Sequence, residues 1–219
     1  MKMRKLMREA PVLLDDVVEM DETYVGGKPR KGGLYTLSKS EKAEYDKTIA
    51  KLESQFDISE GKRKKKWVPA ALVKRGRGTR KIPVVGIAER DGKVVAKVMD
   101  KLSHENLKAM VQKHVEEEDA VLITDKYSGY NRLDKIIEHI KVDHEKMYSY
   151  RGVNTNTIES FWAIIKRGIM GQYHKVSLKY LPDYITEFVF KYNNRNEDDM
   201  FETLVKNAMK PNARTHVSQ

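Results

Sequence analysis

Residues 154–170 read Asn154-Thr155-Asn156-Thr157-Ile158-Glu159-Ser160-Phe161-Trp162-Ala163-Ile164-Ile165-Lys166-Arg167-Gly168-Ile169-Met170. This stretch predicts a helix with two different faces. Asn and Thr at 154–157 are residue types whose side chains accept bonds from the free N–H groups of a helix start. At 100° per residue, Ile158, Phe161, Trp162, Ile165 and Ile169 fall within an arc of roughly 100°, the width of a core-facing stripe. Asn156, Glu159, Ala163, Lys166 and Met170 share the neighbouring arc. The helix therefore anchors by one face and presents a carboxylate and an ammonium beside it. Asn156-x-x-Glu159 is also the spacing of a capping box, in which the Glu only returns a bond to the cap residue. The spacing by itself leaves both readings open.

Two strands upstream carry acids that such a helix could meet. Ala120–Thr124 is short and apolar, the kind of strand buried in a sheet core, and it ends on Asp125. A carboxylate at the carboxyl end of a buried strand lies in the crevice where α/β sheets place their chemistry. Val17–Val25 is rich in β-formers and is closed by Gly26-Gly27. Asp21 sits in its middle, where an acid is disfavoured without a purpose; a solvated position on an edge strand is the alternative. Glu22, next to it, points to the opposite face of a strand and is left out of the site.

Further strands are expected at Val68–Val73, Pro83–Glu89 and Lys93–Met99, the last two joined by a tight Asp91-Gly92 turn. Ser103 opens a helix with Leu107, Met110, Val111 and Val115 at helical spacing. Leu133, Ile136, Ile137 and Ile140 suggest another helix, followed by a short strand over 140–144. A long helix over about 178–194 carries Leu181, Tyr184, Ile185, Phe188 and Val189 as its core stripe. Between the first two strands, Ser38-x-x-Glu41 and Tyr45, Ile49, Leu52 and Phe56 predict a helix over about 39–56. The very basic run 61–67 follows it, so that about 34–66 reads as a basic helical insertion. The expected organisation is an N-terminal arm over 1–16, one catalytic domain over 17–196 and a tail over 197–219, in which 200–209 adds a turn or two.

A chain of 219 residues holds one substantial core. With 40% hydrophobic and 34% charged residues it is globular in composition. No stretch approaches the roughly 18 apolar residues of a membrane helix, and no signal peptide is evident, so a cytoplasmic, nucleoid-associated protein is expected. Cysteine is absent, which excludes disulfides and thiolate zinc sites. A formal net charge of +10 favours a polyanionic partner. Lys74, Arg75, Arg77 and Arg80 in a basic loop, with the run 62–66, are candidate DNA backbone contacts. His144 and His174 read as surface histidines, and Phe161 and Trp162 as core.

Acids delivered from two strands and one packed helix suit two-metal phosphoryl transfer, which needs hard oxygen ligands around paired Mg²⁺ ions. Clustered without metal, they would repel and raise one another's pKa.

Three stretches carry a family resemblance: Met20-Asp21-Glu22-Thr23-Tyr24-Val25-Gly26-Gly27-Lys28, Thr124-Asp125-Lys126-Tyr127-Ser128-Gly129-Tyr130 and Thr155-Asn156-Thr157-Ile158-Glu159-Ser160-Phe161-Trp162. With Lys166–His174 and Glu187–Arg195 downstream, the sequence over roughly 17–196 resembles bacterial insertion-sequence transposases of the ISXO2-like type. The resemblance implies a ribonuclease H-like α/β fold, a mixed sheet flanked by helices. It also implies an Asp-Asp-Glu triad of Asp21, Asp125 and Glu159, binding two Mg²⁺, or Mn²⁺, with Asn156 as the alternative third residue. Glu159 is preferred for its spacing to Lys166 and because a charged oxygen binds Mg²⁺ better than an amide oxygen. Lys166 matches the basic residue that the family places near DNA, and Arg167 adjoins it. The partners implied are double-stranded DNA, at transposon ends and at the target, and a second or further copy of the chain. Relatives commonly carry an N-terminal zinc ribbon, and this sequence reads as the catalytic part alone. The expected activity is metal-dependent strand cleavage and strand transfer. The alternatives are a host nuclease of the same fold and a non-catalytic DNA-binding remnant.

Overall fold

A computed structural model describes residues 2–26, 81–142 and 154–209, together with isolated helical positions at 43, 46, 47 and 50. The chain divides into two compact units, one of residues 1–26 and 81–219 and the other of residues 27–80. Apart from those four positions, the expected insertion and its helix lie outside the described residues. So do the strand over 68–73, the loop with Lys74, Arg75, Arg77 and Arg80, and His144.

The first unit is built on a five-stranded mixed sheet. Its strands are β1 (Val17–Val25), β2 (Ile82–Glu89), β3 (Val94–Val98), β4 (Val121–Asp125) and β5 (Glu138–Val142), in the spatial order β3-β2-β1-β4-β5. β1–β2 and β2–β3 pair antiparallel, whereas β1–β4 and β4–β5 pair parallel. Helices lie on both faces, in agreement with the ribonuclease H-like α/β arrangement. The β2–β3 hairpin turns at Asp91, which adopts φ 57°, followed by Gly92, the turn chemistry that the Asp-Gly pair supplies.

Strand alternation sorts the side chains into two cores, one on each face. On one face Val18, Met20, Val85, Ile87, Val95 and Leu122 pack with Leu107, Met110 and Val111 of α2 (His104–His114). Ser103 caps that helix through its hydroxyl oxygen, which accepts from the Asn106 N–H at 3.3 Å. On the other face Val25, Val84, Ala88 and Val94 pack with α3 (Asn156–Gly168) and α4 (Leu181–Asn193). Ile158, Phe161, Trp162 and Ile165 are the buried stripe of α3. Side chains of this size contribute about 2 kcal/mol each when fully buried, and four of them fix the helix on the sheet.

Two short helices complete the unit, α1 (Lys2–Leu6) and α5 (Met200–Met209). α4 buries more than the expected stripe. Asp183, Glu187 and Phe190 are buried as well, because Arg4 and Arg8 from the N-terminal segment pair with Glu187 and Asp183. Asn193, at the end of α4, takes the place of a neighbouring strand. Its Oδ1 accepts from the Val94 N–H at 2.8 Å and its Nδ2 donates to the Val94 carbonyl at 3.1 Å.

One sequence expectation fails. Residues 133–140 form a short 3₁₀ turn, Leu133–Lys135, and then the start of β5, not a helix. Leu133 and Ile137 do reach the core, but from a turn and a strand entry. Four apolar residues at helical spacing are too few to fix the period when a parallel neighbour, β4, offers strand pairing.

Candidate active site

Register places the first two acids together. Met20 of β1 is the parallel partner of Thr124 of β4, so Asp21 and Asp125 follow at the same level on adjacent strands. Parallel neighbours in register project to the same face, with strands about 4.8 Å apart. Asp21 is also the antiparallel partner of Gly86 in β2. A Cβ on Gly86 would stand 2.7 Å from Cη2 of Trp162 and 2.8 Å from Cδ1 of Ile158. The missing side chain thus opens a slot that the Trp162 indole fills. There its Nε1 donates to Asp21 Oδ2 at 3.1 Å.

A buried carboxylate that the sequence reading passed over sets the other end of α3. Glu19 has 0% of its surface exposed. Its Oε2 accepts from the Thr157 and Ile158 N–H groups at 2.7 and 3.1 Å, and its Oε1 from Thr157 Oγ1 at 3.1 Å. Arg90 pairs with it through Nε at 2.9 Å and donates from Nη2 to the Asn154 carbonyl at 3.0 Å. The unsatisfied N–H groups and positive dipole end of α3 therefore meet a carboxylate from β1. The signal was available: Glu19 lies two residues before Asp21 in a strand, on the same face, between Val18 and Met20.

The capping box is not formed. Thr155 is the cap position and has no side-chain cap bond. Asn156 begins the helix, and its backbone N–H donates to Asn154 Oδ1 at 3.1 Å. Glu159 stands exposed on the first turn, where its Oε1 accepts from Thr155 Oγ1 at 2.9 Å. Its carboxylate is exposed, near enough to Asp21 for its charge to bear on that acid.

The electrostatics tie the three acids together. The Asp21 carboxyl is pushed up to about 7, chiefly by burial, then by the charge of Glu22, and further by the charges of Asp125 and Glu159. Like charges held together disfavour one another's ionisation. Asp125 Oδ1 accepts from the Tyr127 N–H at 3.0 Å, which orders the loop after β4. Glu22 turns to the opposite face, where Tyr130 Oη donates to its Oε2 at 2.6 Å. That tyrosine is held well above its ordinary range by burial and the adjoining carboxylates. Behind Asp125, Thr124 Oγ1 and His139 Nε2 are 2.8 Å apart, and burial with Lys141 lowers the imidazole to about 4. His139 is therefore neutral near pH 7 and adds no positive charge.

Among the described residues, no group of three or more His, Asp or Glu side chains is gathered closely enough to hold a metal ion as it stands. Asp21 is engaged by Trp162 and Glu159 by Thr155. The donor set is nonetheless of the right chemistry, carboxylate oxygens whose charges repel one another. Lys166 and Arg167 are exposed on the last turn of α3, while Phe161 and Trp162 are core. His174 is exposed, with φ 54°. Among the described residues no helix is long and apolar enough to cross a membrane.

A family model described as the ISXO2-like transposase domain matches residues 60–193, more than half of the chain. The match includes Asp125, Asn156 and Glu159 and begins after β1. No curated protein matches the chain.

Proposed function

This chain belongs to the ISXO2-like transposase family, whose members are DNA-cleaving enzymes, and on that premise we propose that it is a DDE-type catalytic core. Asp21, Asp125 and Glu159 would hold Mg²⁺ or Mn²⁺. The observation that carries this reading is the shared register of Asp21 and Asp125, with the helix of Glu159 docked on the same face. When bound, the divalent ions would activate the attacking hydroxyl and neutralise charge on the leaving oxygen.

The chain's own residues supply the rest. Glu19 and Trp162 fix α3 at two points on β1, which sets where Glu159 stands. Glu159, which accepts from the Thr155 hydroxyl at 2.9 Å, would be free to hold a cation once its side chain turned away from that hydroxyl. Asp21, with its raised pKa, gives up a proton to do the same. Lys166, on the stripe of Glu159, steers the phosphate backbone as a point charge. In the first step water attacks a phosphodiester at the transposon end; the P–O3′ bond breaks, leaving a 3′ hydroxyl and a 5′ phosphate. In the second, that hydroxyl attacks a target phosphodiester, one P–O bond replacing another.

Asp125→Asn tests the reading. It should abolish cleavage and strand transfer in Mg²⁺ while salt-sensitive binding to duplex DNA stays near the wild-type level. Nicking by the variant at the wild-type rate would overturn it. Joined products from the wild-type protein mark a transposase, and simple hydrolysis marks a nuclease.

A further inference from the structure

Beyond Gly168 the helix does not simply stop. Ile169–Tyr173 form a π-helical turn, a rare geometry that is frequent at functional sites, and His174 closes it at φ 54°, a conformation that costs a non-glycine residue energy. The turn is held from within. Ile169 and Tyr173 pack against the core of α3 and α4. Tyr173 Oη donates to Glu187 Oε1 at 2.8 Å, and its ring meets Tyr184 edge-on with centroids 4.6 Å apart. Gly168 lies so close to Phe188 that a Cβ would stand 2.4 Å from its Cζ.

Between these anchors, Met170 is 70% exposed, and the space around Gly171 is open to 4 Å. The flanking sequence carries exposed charge of one sign. From Phe161 to Pro182 the sequence holds Lys166, Arg167, Lys175 and Lys179 and neither Asp nor Glu. All four cations are exposed. An unbranched apolar side chain on a firmly held turn, with four exposed cations within nine residues of it in sequence, suits one partner: duplex DNA, whose phosphates pair with the cations while the wedge enters the base stack.

We propose that the Ile169–Tyr173 turn is a DNA wedge, with Met170 inserted at a base step and Lys166, Arg167, Lys175 and Lys179 on the flanking phosphates. This rests on the reading of Asp21, Asp125 and Glu159 as the cleavage centre. Met170 continues the line of Glu159, Ala163 and Lys166, about 16 Å beyond Glu159 along the axis. At 3.4 Å per step the wedge would meet DNA roughly five nucleotides from the scissile phosphate.

The test uses the full chain and short duplexes carrying an end of the element, with 2-aminopurine placed singly at successive positions. A fluorescence rise is expected at a step roughly five nucleotides from the cut. It should be lost in Met170→Ala, which should fold and melt as the wild type does because the residue is exposed. A photoreactive residue at position 170 should crosslink to a base near that step. Crosslinking only to a second copy of the chain, or an unchanged 2-aminopurine signal in Met170→Ala, would overturn the wedge. Those outcomes leave cleavage intact in the wild type, whereas failure of the catalytic reading would show as a wild-type protein that never cuts.

Discussion

Trp162 Nε1 lies 3.1 Å from Asp21 Oδ2, so the helix that carries Glu159 is pinned by its own core residue to the strand that carries the first aspartate. One side chain thereby belongs to both packing and site. The slot at Gly86 makes the contact possible, and it fails sterically if that position gains a methyl group. Gly86→Ala should therefore destabilise the protein by about 1–3 kcal/mol, as overpacked cores do, and shift the tryptophan emission. Denaturant unfolding followed by fluorescence would show it; unchanged stability and emission would mean that the indole does not fill the slot.

The Asp21 carboxyl titrates at about 7 in the folded protein, above its ordinary 3.8. The folded state thus holds this proton more tightly than the unfolded chain does. Stability contributed by the neutral carboxyl is complete at low pH and declines as the pH rises from about 4 to about 7. Asp21→Asn removes the ionisable group. In EDTA it should melt well above the wild type at pH 8, by up to about 4 kcal/mol, and close to it at pH 3. Such a variant would be more stable and inactive. Equal melting of the two proteins at pH 8 would contradict the crowding of charge at this site.

Glu19→Ala should be among the costliest single changes in the molecule. It strands the Thr157 and Ile158 N–H groups and leaves Arg90 without its carboxylate, a loss of about 3–5 kcal/mol. Glu19→Gln keeps an acceptor for the amides but loses the charge, so it should cost less. Urea melts of the two variants check the order; a Gln variant as unstable as Ala would show that the ion pair, not the helix cap, dominates.

Asn193 stands in for a sixth strand at Val94. Asn193→Ala removes both hydrogen bonds to Val94 and a longer one to Glu9, and should cost about 1–2 kcal/mol. Amide exchange at Val94 should quicken more than exchange at Ile87 in β2. Uniform quickening would point to a general loss of stability instead.

DNA affinity should fall with salt, and Lys166→Ala and Arg167→Ala should each reduce the slope of log affinity against log salt by about 1. Fluorescence anisotropy across a salt series measures this. A slope untouched by either change would move the phosphate contacts elsewhere on the chain.

Most of the sheet was legible because its strands advertise themselves. β1 was expected at its observed bounds, and the Asp91-Gly92 turn, the Ser103 cap and the buried face of α3 were all legible locally. What misled was the stretch after Asp125, where Leu133, Ile136 and Ile137 have helical spacing but serve a turn and a parallel strand. Tertiary pairing with β4 decided that segment, and no local pattern reports it. At the site, the shared level of Asp21 and Asp125 depends on strand register, and the Glu19 cap joins residues 138 positions apart. The same holds for Asp183 and Glu187 of α4, whose burial depends on pairing with Arg8 and Arg4 from the far end of the chain.

Val25 and Ile82, the last and first residues of their strands, are cross-strand partners. Residues 27–80 therefore leave and rejoin the sheet at a single rung of its ladder, as an overgrown hairpin tip would. A change in the length of chain between these two residues therefore re-threads no other strand of the sheet. Excision of 27–80 in favour of an Asn-Gly turn should yield a smaller chain that still folds.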